Sequence, residues 1–209
     1  MIAKDLVDVE VTDELRAIIH GELTPELDEI TDVELRNLVV EAWAVAIAHS
    51  SFSAISDLRA SGIWNSDRLK KGTQADHLRG VTAVAIGMAD AMLAQFPELP
   101  FERDIMIAGS LCHDVGKPFE FDPVRMEKRK KSASKGGWPF IRHPPYGVHI
   151  CLTVGLPEEV AHIACGHSYE GEVLARSAAC TVVHFADKGY WATMRAGDLM
   201  ADDYYDEDK

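Results

Sequence analysis

Residues 101–117 read FERDIMIAGSLCHDVGK. A largely apolar helix runs from Phe101 to about His113 and stops before Gly116-Lys117-Pro118, where glycine and proline end helices. So little polar surface predicts a helix buried in a helical core. At its end His113 and Asp114 are adjacent. Successive residues on a regular helix diverge by about 100°. At a fraying helix end both can turn toward one ion, and a carboxylate has a second oxygen to bridge to another. A buried charged aspartate needs a partner, because isolating a carboxylate from water is expensive. A metal ion is the natural one.

Outward from this stretch the helical pattern continues. Asp76–Gln95 places Leu78, Val81, Ala85, Met88, Ala89 and Met92 on one stripe, and Pro97 and Pro100 separate it from the helix at 101. Thr31-Asp32-Val33-Glu34 reads as a capping box. The helix it opens, to about Ser50, sets Leu35, Leu38, Val39, Ala42, Trp43 and Ala46 at helical spacing. Thr24-Pro25-Glu26 resembles another helix start, with proline at the first helical position. Residues 118–142, with Ser132-Ala133-Ser134 and Gly136-Gly137, predict a loop that is mobile at least in part. Pro144-Pro145 opens a helix to about Val154, Leu156-Pro157-Glu158-Glu159 opens one ending near Gly166, and a last one fits Val173–Met200. Strand signals are nearly absent. The expected fold class is all-α: a helical bundle over 61–200, an N-terminal helical extension over 1–60 packed on it, and an acidic tail at 201–209.

Composition bounds the function. With 209 residues, 47% of them hydrophobic and 26% charged, the chain suits one globular domain with a full core. No apolar run reaches the roughly 20 residues of a membrane span. Met1-Ile2-Ala3-Lys4-Asp5 lacks the basic-then-apolar layout of a signal peptide. The cysteines Cys112, Cys151, Cys165 and Cys180 form no C-x-x-C pair, so reduced thiols in a cytoplasmic protein are expected, not a disulfide scaffold or a cysteine zinc cage. Residues 1–35 carry a net charge of −9 and residues 202–209 a net of −4, which together account for the whole −13. Acidic ends argue against nucleic acid or an anionic membrane as partner. The neutral interior has one exception, Arg125–Arg142, with seven bases against Glu127. This segment, with Trp138 and Phe140 as an apolar face, reads either as a lid that draws in a small anionic substrate or as a solvated charged face. Helices around Trp43 and Trp191 leave room for a homodimer.

Leu111-Cys112-His113-Asp114-Val115-Gly116-Lys117 resembles the signature of the HD-domain superfamily, metal-dependent phosphohydrolases built on a helical core. The family's order is a histidine on one helix, the His-Asp pair, and a later aspartate, with two further histidines between in its two-metal members. His77, in Asp76-His77-Leu78-Arg79, matches the first. Asp187, in Val183-His184-Phe185-Ala186-Asp187, matches the last. His143, in His143-Pro144-Pro145-Tyr146-Gly147, matches the family's H-P-x-x-G element, and His167, in Cys165-Gly166-His167-Ser168, fits the next. The resemblance covers roughly residues 70–195. It implies that His77, His113, Asp114 and Asp187 hold one divalent ion and that Asp114 bridges to a second held by His143 and His167. A nitrogen and oxygen ligand set without thiolate suits iron, the first choice, or Mn, Zn, Co or Ni.

Two divalent ions over two carboxylates leave a net positive site, which attracts an anion and clamps a phosphoryl group. Asp114 is therefore a catalytic candidate. Lys117, one turn past the pair, is a second: it adds positive charge toward a phosphate, or else lies solvated at a helix end. Arg79, His184 and Arg142 are further candidates for substrate contact; Arg79 faces either cleft or solvent, and His184, three residues before Asp187, serves either packing or substrate. His149, His162, His20 and His49 read as structural, and Cys112 and Cys165 as small buried apolar residues. The expected activity is hydrolysis of a small phosphate ester or nucleotide by a metal-activated water. The alternative is an HD-type oxygenase whose mixed-valent di-iron centre cleaves a C–C or C–P bond with O2, on the same ligands. Cyclic-dinucleotide specificity of the Gly-Tyr-Pro branch is not supported, because the chain reads Ser168-Tyr169-Glu170-Gly171-Glu172 after the late histidine.

Overall fold

A computed structural model describes residues 10–62, 68–132 and 138–201. Residues 202–209 of the acidic tail and the Gly136-Gly137 pair lie outside the described residues. The order is α1 (Asp13–Leu23), a 3-10 turn (Glu26–Glu29), α2 (Val33–Ala48), a second turn (Ile55–Asp57), β1 (Arg59–Ser61), β2 (Arg68–Thr73) and α3 (Gln74–Gln95). Then come α4 (Arg103–Cys112), α5 (Lys117–Phe121), α6 (Pro123–Lys130), α7 (His143–Val154), α8 (Glu158–Gly166), a 3-10 turn (Tyr169–Val173) and α9 (Ala178–Ala196). The fold is an all-α bundle with one small two-stranded antiparallel sheet, pairing Arg59 with Thr73 and Ser61 with Arg68. The hairpin escapes a periodicity reading because Arg-Leu-Lys-Lys-Gly-Thr does not alternate apolar and polar residues. It is anchored by contacts distant in sequence instead, including the pairing of Leu69 with Met200.

The helix quoted first is the centre of the bundle. Met106 to Cys112 are buried without interruption, and α4 packs against α2, α3, α8 and α9. Gly109 makes the α8 contact close: a methyl group there would sit 2.2 Å from Ile163 Cδ1. The N-terminal helices share this core, with Leu35, Val39 and Trp43 buried among residues of α3, α4, α7 and α8. Trp43 Nε1 donates to the Leu111 carbonyl at 2.8 Å, tying α2 to the end of α4. Trp43 and Trp191 themselves are both buried within the chain.

Several helix boundaries differ from expectation for local reasons. Thr31 is not a cap; its N–H and hydroxyl both donate to Asp104 in α4, and Asp32 caps α2 instead. The capping box belongs to α3, where Thr73 and Asp76 satisfy each other and start the helix two residues early. The last helix begins at Ala178, not Val173, because Arg176 turns back to donate to the carbonyls of Gly166 and Ser168. The stretch expected to be a mobile loop is substantially helical: α5 and α6 cover 117–121 and 123–130. Asp122 caps α6 through the Arg125 N–H at 2.8 Å and accepts from both the N–H and the hydroxyl of Ser51. Phe119 stacks on Tyr146 with ring centroids 3.7 Å apart, and the Arg125 guanidinium lies over the Phe119 ring, 4.5 Å from its centroid.

Candidate metal centre

Three helices and two turns deliver six side chains to one point. His77 comes from the first turns of α3, His113 and Asp114 from the turn that ends α4, and His143 from the opening residue of α7. His167 follows α8 directly, and Asp187 lies midway along α9. Gly116 allows the convergence of the second and third: a methyl group there would fall 2.1 Å from the His143 carbonyl oxygen.

The two oxygens of Asp114 face different pairs of histidines. Oδ2 lies 3.3 Å from His77 Nε2 and 3.2 Å from His113 Nε2. Oδ1 lies 3.3 Å from His143 Nε2 and 3.6 Å from His167 Nε2. Asp187 Oδ1 joins the first group, 3.3 Å from His77 Nε2. Asp114, His77, His113, His143 and His167 are all buried, and only Asp187, at 17%, keeps an opening to solvent.

Three of the four opposite ring nitrogens are tied down. His113 Nδ1 lies 2.6 Å from the Ser110 carbonyl, His167 Nδ1 2.9 Å from the Ala164 carbonyl, and His143 Nδ1 2.7 Å from Glu120 Oε2. Against such acceptors each Nδ1 donates, which leaves each Nε2 as the atom available to an ion beside Asp114. His77 and His113 even bring their Nε2 atoms within 3.3 Å of each other, and Asp187 Oδ1 is buried without a hydrogen bond. Imidazole nitrogens and carboxylate oxygens converging in this way are what a cation would satisfy. The donor sets His77, His113, Asp187 and His113, Asp114, His167 each lie within 4.8 Å of one another, so the residues present fit a divalent ion.

Electrostatics agrees. Burial alone would raise Asp114 and Asp187, yet Lys117 and His113 hold the first, and His77 and His113 the second, well below the usual carboxylate range, while Asp114 raises His113 in return, so an ion binding here would displace a proton from that imidazole. Burial pushes His167 down to about 4. Ionised carboxylates and a neutral imidazole are the protonation states that ligation requires.

The remaining candidates fall in different places. Lys117 is neither solvated nor directed only at a ligand: it is 2% exposed, with Nζ 2.6 Å from Asp114 Oδ2 and donating to the Ser61 carbonyl. His184 lies outside the cluster and Nδ1 donates to the carbonyl of His167, steadying that residue's backbone. Arg79 points away, to Asp76 at 2.8 Å and the Thr24 carbonyl. Arg142 pairs with Glu170 at 2.8 Å. Of the basic segment, Arg129 also turns inward, to the carbonyl of Glu120. His162 accepts from the Ser177 N–H, a structural task.

Residues that sequence reading missed complete the site. Gln74 donates to Asp114 Oδ2 at 2.8 Å. A cavity of about 240 Å³ opens over the cluster, lined by Gly62, Lys117 and Ser168 and by Lys188, Trp191 and Arg195 of α9. The last three stand at i, i+3 and i+7 on one helix face, a spacing readable from Asp187 onward. A larger groove of about 720 Å³ near Phe101 and Pro157 shares no lining residue with the site and holds none of its chemistry.

A family model of the HD domain matches residues 75–189, more than half of the chain. The chain belongs to the HD domain family. Its HD domain match begins in the first turn of α3 and ends in α9, so it spans all six converging residues and leaves α1 and α2 outside. The chain is also similar to dihydroneopterin 2',3'-cyclic phosphate phosphodiesterase of Methanocaldococcus jannaschii, 27% identical over 175 residues, covering 77% of this chain and 64% of the relative. It thus spans less than two thirds of that relative's length. No solved structure matches. Among the described residues no helix is long and apolar enough to cross a membrane.

Proposed function

We propose that this HD domain is a metal-dependent phosphohydrolase acting on a small phosphate ester, with two divalent ions bridged by Asp114. The observation that carries the reading is the division of Asp114: one oxygen faces His77 and His113, the other His143 and His167. His77, His113, Asp114 and Asp187 would hold one ion, and Asp114, His143 and His167 the other. Divalent ions so placed neutralise charge on a phosphoryl group and lower the pKa of water. The chain's own contribution is to orient four imidazoles by their Nε2 atoms and to bury the carboxylates away from competing protons. Lys117, Lys188 and Arg195 line the cavity and favour a substrate carrying negative charge. The similarity to an enzyme named for a 2',3'-cyclic phosphate supports a phosphodiester as first choice of substrate.

The test is metal analysis of anaerobically purified protein, paired with a panel of phosphoesters that includes 2',3'-cyclic nucleotides, and an O2-uptake assay. Two ions per chain and phosphate ester turnover without O2 uptake are expected. Substrate-dependent O2 uptake by an iron-loaded protein, with no ester cleaved, would replace the hydrolase by the oxygenase.

A further inference from the structure

Three histidines of the cluster are steered through Nδ1, but not by the same kind of acceptor. His113 and His167 each stand at a helix end, and each uses the carbonyl three residues earlier in its own chain, Ser110 and Ala164. Those carbonyls are free there because the last turn of a helix leaves its C=O groups without partners. His143 has no such supply. It opens α7, where the backbone presents N–H groups and not carbonyls. Its acceptor therefore has to come from another element.

Glu120 of α5 fills that place. Its carboxylate is fully buried, and Oε2 accepts from both the Nδ1 and the backbone N–H of His143. One oxygen thus orients the ring and caps the helix, where the N-terminal dipole favours a negative charge. Nothing about a cap alone demands so buried an anion; Asp32 and Ser177 cap α2 and α9 at more exposed sites. Arg129 holds the same residue from behind through its backbone carbonyl, so α6 braces α5 at this point.

Charge gives the arrangement its purpose. The Oδ2 side of Asp114 has a second carboxylate, Asp187, while the Oδ1 side has two histidines and the shared aspartate. A carboxylate behind an imidazole makes it more basic than a carbonyl does. We infer that Glu120 is the positioning residue of the Oδ1-side ion: by orienting His143 and supplying one remote negative charge, it sets that ion's affinity and leaves the other ion alone. This rests on the two-ion reading of the site.

The measurement is equilibrium dialysis of metal-free full-length protein against Mn2+, with folding followed by circular dichroism, for wild type, Glu120→Gln and Glu120→Ala. Gln keeps a hydrogen-bond acceptor and removes the charge; Ala removes both. Expected are two ions in the wild type, a roughly 10-fold weaker second ion in Glu120→Gln, and a roughly 100-fold weaker one in Glu120→Ala, the range seen when outer partners of metal ligands are lost. The first ion should bind with unchanged affinity throughout. Two ions at wild-type affinity in a folded Glu120→Ala, or equal weakening of both ions in a folded Glu120→Gln, overturn the inference while leaving the two-ion reading standing. A wild type that holds one ion overturns that reading, and this inference with it.

Discussion

His77 and Asp187 stand on α3 and α9, helices of 22 and 19 residues that pack against each other along their lengths, whereas His143 and His167 occupy the first residue of one shorter helix and the residue just past another. The Oδ2 side of Asp114 is therefore held by extended helix packing. The helices of the Oδ1 side, α7 and α8, pack on each other as closely, but its ligands lie at their ends and are oriented by a few point contacts: the glycine at 116, the carboxylate of Glu120 and the His184 bond to the His167 carbonyl. Geometry fixed by many contacts resists single substitutions, and geometry fixed by few does not. The two sides should come apart under mutation.

Asp114 is where they cannot. Asp114→Ala is expected to lose both ions and reduce phosphate ester turnover to background, read by metal analysis after gel filtration. Two ions retained by this variant would break the comparison outright, since no shared ligand would then join the sides. Gly116→Ala tests the weaker side alone. The added methyl group meets backbone that cannot swing aside, so roughly 3 kcal/mol of stability should be lost in urea unfolding, the upper range for overpacking. The ion near His143 should weaken while the one near His77 stays; equal weakening would mean that both sides share one rigid frame. Asp122→Ala is gentler. It removes the cap of α6 and the hold on Ser51, which should cost about 2 kcal/mol, and it reaches the metal centre only through Arg129 and Glu120. Mn2+ affinity changing by more than about 100-fold would make α6 part of the site itself, beyond a remote support.

The same division explains what sequence could tell. The long helices were legible because their apolar stripes repeat at helical spacing, and the pair at 113–114 stood out because a glycine ends the helix beside it. Gln74 and Glu120 carried no such mark. Each acts across 40 and 23 residues of chain, and their side-chain types are ordinary on any helix. The basic run is harder to read for a related reason. Charge in a sequence has no direction, and Arg129 and Arg142 turn inward to Glu120 and Glu170, leaving fewer cations for solvent than the count suggests. Thr31 misled because Asp104, 73 residues away, outcompetes the local cap.

That long-range contact supplies the smallest effect and a control remote from both sides. Asp104 Oδ2 accepts from the N–H and hydroxyl of Thr31 and from the Asp32 N–H, joining the start of α2 to the start of α4. Burial raises its carboxyl, but these donors outweigh burial and hold it below its ordinary value. The folded protein therefore binds this proton less readily than the unfolded chain does. Its contribution to stability is complete above the ordinary carboxylate range and fades as pH falls through the depressed folded value. Asp104→Asn keeps the shape and removes the titration, so it should cost about 1 kcal/mol at neutral pH and nearly nothing at low pH. Urea midpoints across the acid range read this directly: wild type and variant should converge as pH drops, with Mn2+ binding at neutral pH identical. A constant gap at every pH would show that packing, and not the carboxylate's charge, joins α2 to α4. A changed Mn2+ affinity would show that the start of α4 is coupled to the turn that ends it, and the Oδ2 side would then be less rigid than its helix packing implies.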